Sequence, residues 1–455
     1  MFSYERAEKT AKWLGGWGFE PLFVAPIALL LLTLVVWATD PVALSAVVAV
    51  LVLISPVWLP IYLGQFAWIS WINYIRSAFW FKQGHVLLEV QLPQEVDRSP
   101  MAMELFLVTL NQTGGEATFI HRLWMGQFRP VWSLEIVSTE GRVKFYIYVR
   151  KGFKNVVEAR IYGVFPTAQV REAEDYVSKV PYESGEYDLT GTEYVKVGVG
   201  ALPIKTYVDW KLDKNEDQEY RIDPLVNILE FMGSIGQGEH LWLQIIMRGR
   251  KNDEWYGLYY DKKYRDDWKD PAEKKKKEII EGAIKRAQEF VTDEAEKKRV
   301  GARSVTLLSE DERKKIEAID RSLGKQVFEC GLRGIYIAKK DKFNVSNTPH
   351  LFSMFGPYNS ADGNAIILTL SRGLPAFNYP WQDWGSIRKN IVRRNLYFWY
   401  KHRAYFFAPF DQVPVFLTTE ELASVWHFPG TAVETPALDR VPSRVSEAPS
   451  NLPTL

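Results

Sequence analysis

Two stretches near the N-terminus, residues 21–38 and 42–63, contain no Asp, Glu, Lys or Arg, and only Thr39, Asp40 and Pro41 separate them. A helix rises about 1.5 Å per residue, so each stretch is long enough to cross a hydrocarbon core of about 30 Å. The carboxylate and the proline between them favour a turn, and the pair reads as a transmembrane hairpin. Pro56 and Pro60 are expected to kink the second span. So tight a hairpin transports nothing by itself; it fixes the rest of the chain to one face of a membrane. A monotopic hairpin that dips in and returns is an alternative. A secretory signal fits less well, because Gly15, Gly16 and Gly18 precede the first stretch and a second span follows at once.

Arg6, Lys9 and Lys12 lie before the first stretch, Arg76 and Lys82 after the second, and the turn has no basic residue. The positive-inside bias therefore puts both termini and the large body in the cytoplasm, with two transmembrane helices in the inner membrane. Trp58, Trp68, Trp71 and Trp80, with Tyr62 and Tyr74, suggest an aromatic belt at the second exit, and residues 65–82 an interfacial amphipathic helix. The single cysteine, Cys330, precludes an intramolecular disulfide and suits the cytoplasm. A formal net charge of +1 gives no bulk case for nucleic-acid binding.

After this anchor (1–83), residues 84–180 alternate strand and helix. Residues 86–92 alternate like a strand; Ser99 and Pro100 open a helix; Glu140-Gly141 turns a hairpin; residues 153–165 show helical spacing. The order strand, helix, strand, strand, helix, strand is the split βαβ, ferredoxin-like arrangement. Residues 190–430 suggest a second such unit, interrupted at 250–303 by a charged insertion. In that insertion Ile279, Ile280, Ala283, Ala287 and Phe290 form an apolar stripe, read as a solvated amphipathic helix or as a docking helix for a partner. Ser309 with Glu312, and Thr418 with Glu421, have capping-box spacing. The tail, 431–455, is Pro- and Ser-rich and reads as a disordered arm. The expected fold class is thus α+β: the two-helix hairpin followed by two ferredoxin-like units, the second with the helical insertion.

One segment, 381–407, is both aromatic and basic. Arg388, Lys389, Arg393, Arg394, Lys401 and Arg403 stand among Trp384, Tyr397, Phe398, Trp399 and Tyr400. These six cations are the candidate contacts for an anionic surface or a partner. The pattern suits single-stranded nucleic acid, an anionic membrane surface, or a buried aromatic face with arginines reaching outward.

Catalytic motifs are lacking. Leu323-Gly324-Lys325-Gln326 has neither the first glycine nor the hydroxyl residue of a phosphate-binding loop. There is no His-Glu-x-x-His, no cysteine pair for zinc and no Gly-x-Ser-x-Gly elbow. No catalytic residue, cofactor or metal is assigned; His121, Arg122 and Glu116 are isolated polar residues without a pattern.

The runs Val86-Leu87-Leu88-Glu89-Val90, Ser99-Pro100-Met101-Ala102-Met103-Glu104, Thr113-Gly114-Gly115-Glu116, Trp132-Ser133-Leu134-Glu135-Ile136 and His427-Phe428-Pro429 resemble a family from small-genome uncultured bacteria. It is the membrane-anchored, largely uncharacterised domain found before or beside ATPases similar to those of type IV secretion and conjugation. The resemblance covers most of residues 84–453. The tail, with Val441-Pro442-Ser443-Arg444, looks like the connector to a motor domain in fused relatives, and no motor follows it here. The resemblance therefore implies a noncatalytic inner-membrane platform that docks a separate, hexameric-type ATPase, with self-association an added expectation. The alternatives are a membrane-surface enzyme with an unrecognised site, and a nucleic-acid-binding membrane protein that uses 388–403.

Overall fold

The computed structural model describes residues 33–35, 37–93, 98–116, 118–182, 185–213, 222–251, 254–256, 259–261, 268–289, 308–360, 363–369, 383–407, 410–430, 438 and 440–441. Most of the first apolar stretch, 21–32, the basic flank at Arg6, Lys9 and Lys12, and most of the tail lie outside the described residues. Helix α1 is Pro41–Leu53 and helix α2 is Ser55–Gln83.

The expected two-span hairpin is corrected here. Among the described residues no single helix is long and apolar enough to cross a membrane; Leu44–Val57 and Leu59–Gln83 meet length and composition together only as a pair bent by 55°. The bend falls in the stretch carrying Pro56 and Pro60, so the prolines break the second apolar run rather than merely kinking it. Beyond the bend no separate interfacial helix forms. The apolar run continues into residues 65–83 as one helix, α2. Its last turns belong to the body, where Ile75 and Trp80 are buried.

Alternation builds the sheet. In β1 (His85–Pro93), Val86, Leu88, Val90 and Leu92 enter one core, while His85, Leu87 and Glu89 face the other way. Helix α3 (Pro100–Leu110) follows, with Pro100 in its first turn. After the short α4 (Phe119–Leu123), β2 (Val131–Thr139) and β3 (Arg142–Arg150) form a hairpin. Its two-residue turn has φ of 54° at Glu140 and 83° at Gly141, the twist a tight hairpin requires. Helix α5 (Lys154–Val164) returns the chain to β4 (Gln169–Ala173), which lines β1. The resulting order is β4-β1-β3-β2, all antiparallel.

A second quartet follows. It consists of β5 (Tyr187–Val197), helix α6 (Pro224–Gly233), β6 (Glu239–Gly249), β9 (Val327–Lys339) and β10 (Ala365–Thr369), in the order β10-β5-β9-β6, again antiparallel. Between β6 and β9 lie the small hairpin β7 (Glu254–Tyr256) and β8 (Tyr259–Asp261), then helices α7 (Lys269–Glu289) and α8 (Glu310–Leu323). Ser309 and Glu312 form the capping box of α8. The apolar stripe of α7 is turned onto its own chain: Ile279 packs with buried Trp268, Ala272 and Ile319, and Lys276 and Arg286 pair with Asp320 and Glu312 of α8. Phe290 lies outside the described residues.

Each quartet has the strand order of a split βαβ unit, but the expected succession of two such units is corrected as well. β2 pairs with β6 over nine residues, from Val131↔Arg248 to Thr139↔His240, and fuses the quartets into one ten-stranded sheet. Edge polar groups that two separate sheets would leave open are thereby satisfied. Helix α9 is Asn347–Phe352, α10 is Ile387–Lys401, and α11 is Thr419–Val425. Strands β11 (Phe406–Phe407) and β12 (Phe410–Asp411) form a small hairpin. β13 (Val415–Thr418) takes up the side of β9 that β5 leaves after Tyr194. From the tail, Leu438 is buried and bridges Val143, and β14 (Arg440–Val441) runs parallel to Leu92–Pro93 of β1.

Helices α3, α5, α6 and α11 cover one face of the sheet, over a core that includes Phe106, Val157, Leu229 and Trp426. The other face is covered by α10, by the residues that follow it, and by the end of α2.

Candidate functional site

The second face holds a buried polar row. Glu89, Tyr146, Glu135, Gln244, Arg333 and Glu193 are successive register partners on β1, β3, β2, β6, β9 and β5. Each sits near the middle of an apolar strand, where alternation turns it to the same side. Gln244 Nε2 donates to Glu135 Oε1 at 3.0 Å, and Arg333 Nη1 donates to Gln244 Oε1 at 3.4 Å. Arg333 also donates from Nη2 to Glu193 Oε1 at 2.9 Å, with both side chains buried. Lys144 reaches Glu89 at 2.9 Å.

The basic, aromatic segment lies across this row. Asp383 accepts from the Arg388 and Lys389 backbone N–H groups at 2.8 and 3.0 Å and so fixes the start of α10. Leu396, Tyr397 and Tyr400 are buried on the sheet. Gly331 makes room for the Tyr405 ring, since a Cβ there would lie 2.3 Å from it. Arg403, at a φ of 49°, turns its buried guanidinium onto Glu135 and Asp175. Burial opposes that charge, yet the two carboxylates outweigh it and hold the guanidinium above its ordinary pKa. Tyr176 donates to Glu135 Oε2 at 2.8 Å and meets the Tyr400 hydroxyl at 2.7 Å; burial pushes both phenols up, so they stay protonated.

The six candidate cations are thus divided by depth. Arg403 is internal. Lys401 is half-buried, and its carbonyl accepts from Arg403 at 3.0 Å. Arg388 and Lys389 are half-buried at the helix start. Arg393 pairs with Asp188 at 2.6 Å, and Arg394 is exposed. These last two meet Lys340, Tyr182 and Tyr187 around a groove of about 570 Å³. Three cations against one carboxylate, between two tyrosines, suit an acidic peptide surface. Of the aromatic rings on α10, Tyr397 and Tyr400 are buried, while Phe398 stays 40% exposed.

Several other ionisable groups in the core are also engaged. On the first face Lys196 pairs with Glu421 at 2.7 Å, both buried; burial lowers the Lys196 pKa, partly offset by Glu421. Burial pushes the neighbouring Cys330 thiol up. Glu116 and Glu329 flank Arg129, and His427 Nε2 is 2.9 Å from Asp223. His121 is half-buried on α4 beside Arg122. Among the described residues no three His, Cys, Asp or Glu side chains are grouped to hold a metal ion. The sequence signal for the polar row was a polar residue flanked by apolar ones, as in Leu134-Glu135-Ile136 and Leu243-Gln244-Ile245.

Compared with known proteins, residues 85–441 match the model of a domain of unknown function (DUF8128). The match opens at the first residue of β1 and closes at the last of β14, so it coincides with the sheet and the helices that cover it. No curated protein matches the chain.

Proposed function

Since the chain belongs to the DUF8128 family, we propose that it is a noncatalytic platform, associated with the inner membrane, that docks a cytoplasmic ATPase. The observation that carries this reading is the polarity of the body. Its strands run between two ends. At one end α2 passes into β1 through Gly84 alone, beside Arg150. The groove of Arg393, Arg394 and Lys340 lies at the other end, next to Tyr187 and Lys339. The 13 residues of β9 correspond to about 40 Å at roughly 3.3 Å per residue. Lipid at one end and a protein contact at the other is the layout a platform needs.

Three further features support it. On α2, Val57, Ile61, Leu63 and Phe66 are more than half exposed, a surface that water disfavours and a bilayer accepts. Arg76 and Lys82, at the body end of α2, suit a cytoplasmic face. On the second face, Arg333 pairs with Glu193 and Arg403 with Glu135, which fits a rigid support better than a reaction centre. The identity of the partner rests on the resemblance to domains found beside secretion-type ATPases.

The test is purification of the full chain from native membranes in mild detergent, with mass spectrometry of what accompanies it. The expected result is sedimentation with membranes and repeated recovery of an ATPase that carries a phosphate-binding loop. Recovery of the chain from the soluble fraction, or of no ATPase across independent preparations, would overturn the reading.

A further inference from the structure

The loop around α4 carries four large apolar side chains in the open: Phe119 is 51% exposed, Ile120 46%, Trp124 61% and Met125 53%. Isolated exposed hydrophobics are ordinary, but a run of them within seven residues is not. They also do not stand alone. Trp124 meets Trp71 of α2 edge to face at 5.9 Å, and Tyr74 of α2 is 67% exposed beside it. The two sets form one apolar surface.

The loop is fixed to α2 at a defined level. Trp71 Nε1 donates to the Leu123 carbonyl at 2.9 Å. Gly126 has φ +62°, and a Cβ on it would lie 2.3 Å from the Ile75 carbonyl oxygen, so the two backbones touch. From Leu59, where the bend ends, to Trp71 the helix rises about 18 Å at roughly 1.5 Å per residue. That is about the depth of one leaflet of a hydrocarbon core of about 30 Å, and tryptophans favour its boundary. Arg122 of the loop senses the Glu116 carboxylate first and then the charge of Arg76 on α2, so a second guanidinium stands near the junction of loop and helix. Apolar rings with guanidiniums just behind them suit anionic headgroups over acyl chains.

We propose that loop 119–125 inserts into the interfacial zone of the bilayer that α2 enters, as a second lipid contact that fixes the tilt of the body. The proposal rests on the membrane reading of α2. One attachment leaves a body free to swing, whereas two at a fixed spacing set its axis relative to the membrane.

The full chain can be probed with single introduced cysteines, because the native Cys330 is buried and its thiol is held protonated. Met125→Cys, Phe66→Cys and Val345→Cys variants would each carry a nitroxide label and be reconstituted in phosphatidylcholine–phosphatidylglycerol vesicles. Val345 follows the far end of β9 and is exposed. Power-saturation spectroscopy then compares access to oxygen, which dissolves in lipid, with access to a nickel chelate, which stays in water. The expected result is high oxygen and low nickel access at 125 and 66, and the reverse at 345. A label at 125 that behaves like 345 while 66 stays in lipid overturns the loop contact and spares the membrane reading. Labels at 66 and 125 both open to nickel overturn the membrane reading and the loop contact with it. A label at 125 shielded from both reagents means that a protein surface covers the loop, and also overturns the proposal.

Discussion

Arg403 donates from Nε and Nη2 to the two carboxylate oxygens of Glu135 at 3.0 and 3.1 Å, with both side chains buried. This bidentate pair fastens the segment after α10 to the centre of β2, and Asp175 holds the same guanidinium from another side. Arg403→Met is expected to destabilise the chain by about 3–5 kcal/mol, because Glu135 stays buried without its cation. The double variant Arg403→Met, Glu135→Leu should lose less than the two single losses combined. Denaturant titration of the detergent-solubilised chain, followed by tryptophan fluorescence, measures this. Additive losses would show that the pair is not coupled.

Gly331 tests how closely the same segment lies on the sheet. Its backbone is ordinary, so the only demand for glycine there is the Tyr405 ring. Gly331→Ala is expected to cost about 1–3 kcal/mol through overpacking. Amide hydrogen exchange should rise across 396–407 more than in β9 itself. Unchanged exchange over the segment would mean that the ring shifts aside freely.

Two histidines give opposite pH responses. Burial, then the charges of Arg150 and Arg403, push the His85 pKa down to about 3, so the unfolded chain takes up a proton that the folded one refuses. Its contribution to stability is complete above about 6.5 and is lost as pH falls toward 3. For His427 burial opposes the charge, but Asp223 outweighs it and raises the pKa. That contribution is complete below about 6.5 and is lost as pH rises through the raised value. Thermal midpoints of the wild type should therefore fall faster than those of His85→Phe between about pH 6.5 and 4. The advantage of the wild type over His427→Gln should shrink on the alkaline side. Parallel profiles for wild type and His85→Phe would remove His85 from the acid response.

Charge reversal in the groove should separate binding from folding. Lys340→Glu with Arg394→Glu leaves the Arg393–Asp188 pair in place. Recovery of the ATPase partner is expected to drop on the order of tenfold, with a stronger salt dependence than any change in thermal midpoint. A partner that binds equally well to this variant docks elsewhere.

Local chemistry was legible in the sequence, and long-range pairing was not. The capping boxes at Ser309 and Thr418 and the Glu140-Gly141 turn involve neighbours within four residues, and they form as read. Arg403 read as a surface cation because arginine is costly to bury unpaired. Its partners Glu135 and Asp175 are 268 and 228 residues away, and no periodicity brings them together. The nine-residue pairing of β2 with β6 escaped for the same reason: each strand looked like the edge of its own unit. In α2, composition changes after Leu63 but helical propensity does not, so a boundary drawn on polarity divided one helix. Leu438 was hidden by the Pro- and Ser-rich residues around it, although two short pairings suffice to hold it against Val143.

The run of β14 beside β1 determines how the body bears load. β1 leaves α2 directly and ends at Pro93, where Arg440 and Val441 run parallel to it and carry the chain onward in the same direction. A pull between α2 and the chain beyond Val441 therefore draws these two strands past each other along their length. The slanted bonds of this short parallel pairing, two register positions long, are loaded together in shear rather than opened one at a time. β1 is also clasped by β3 and β4, which spreads the tension into the sheet.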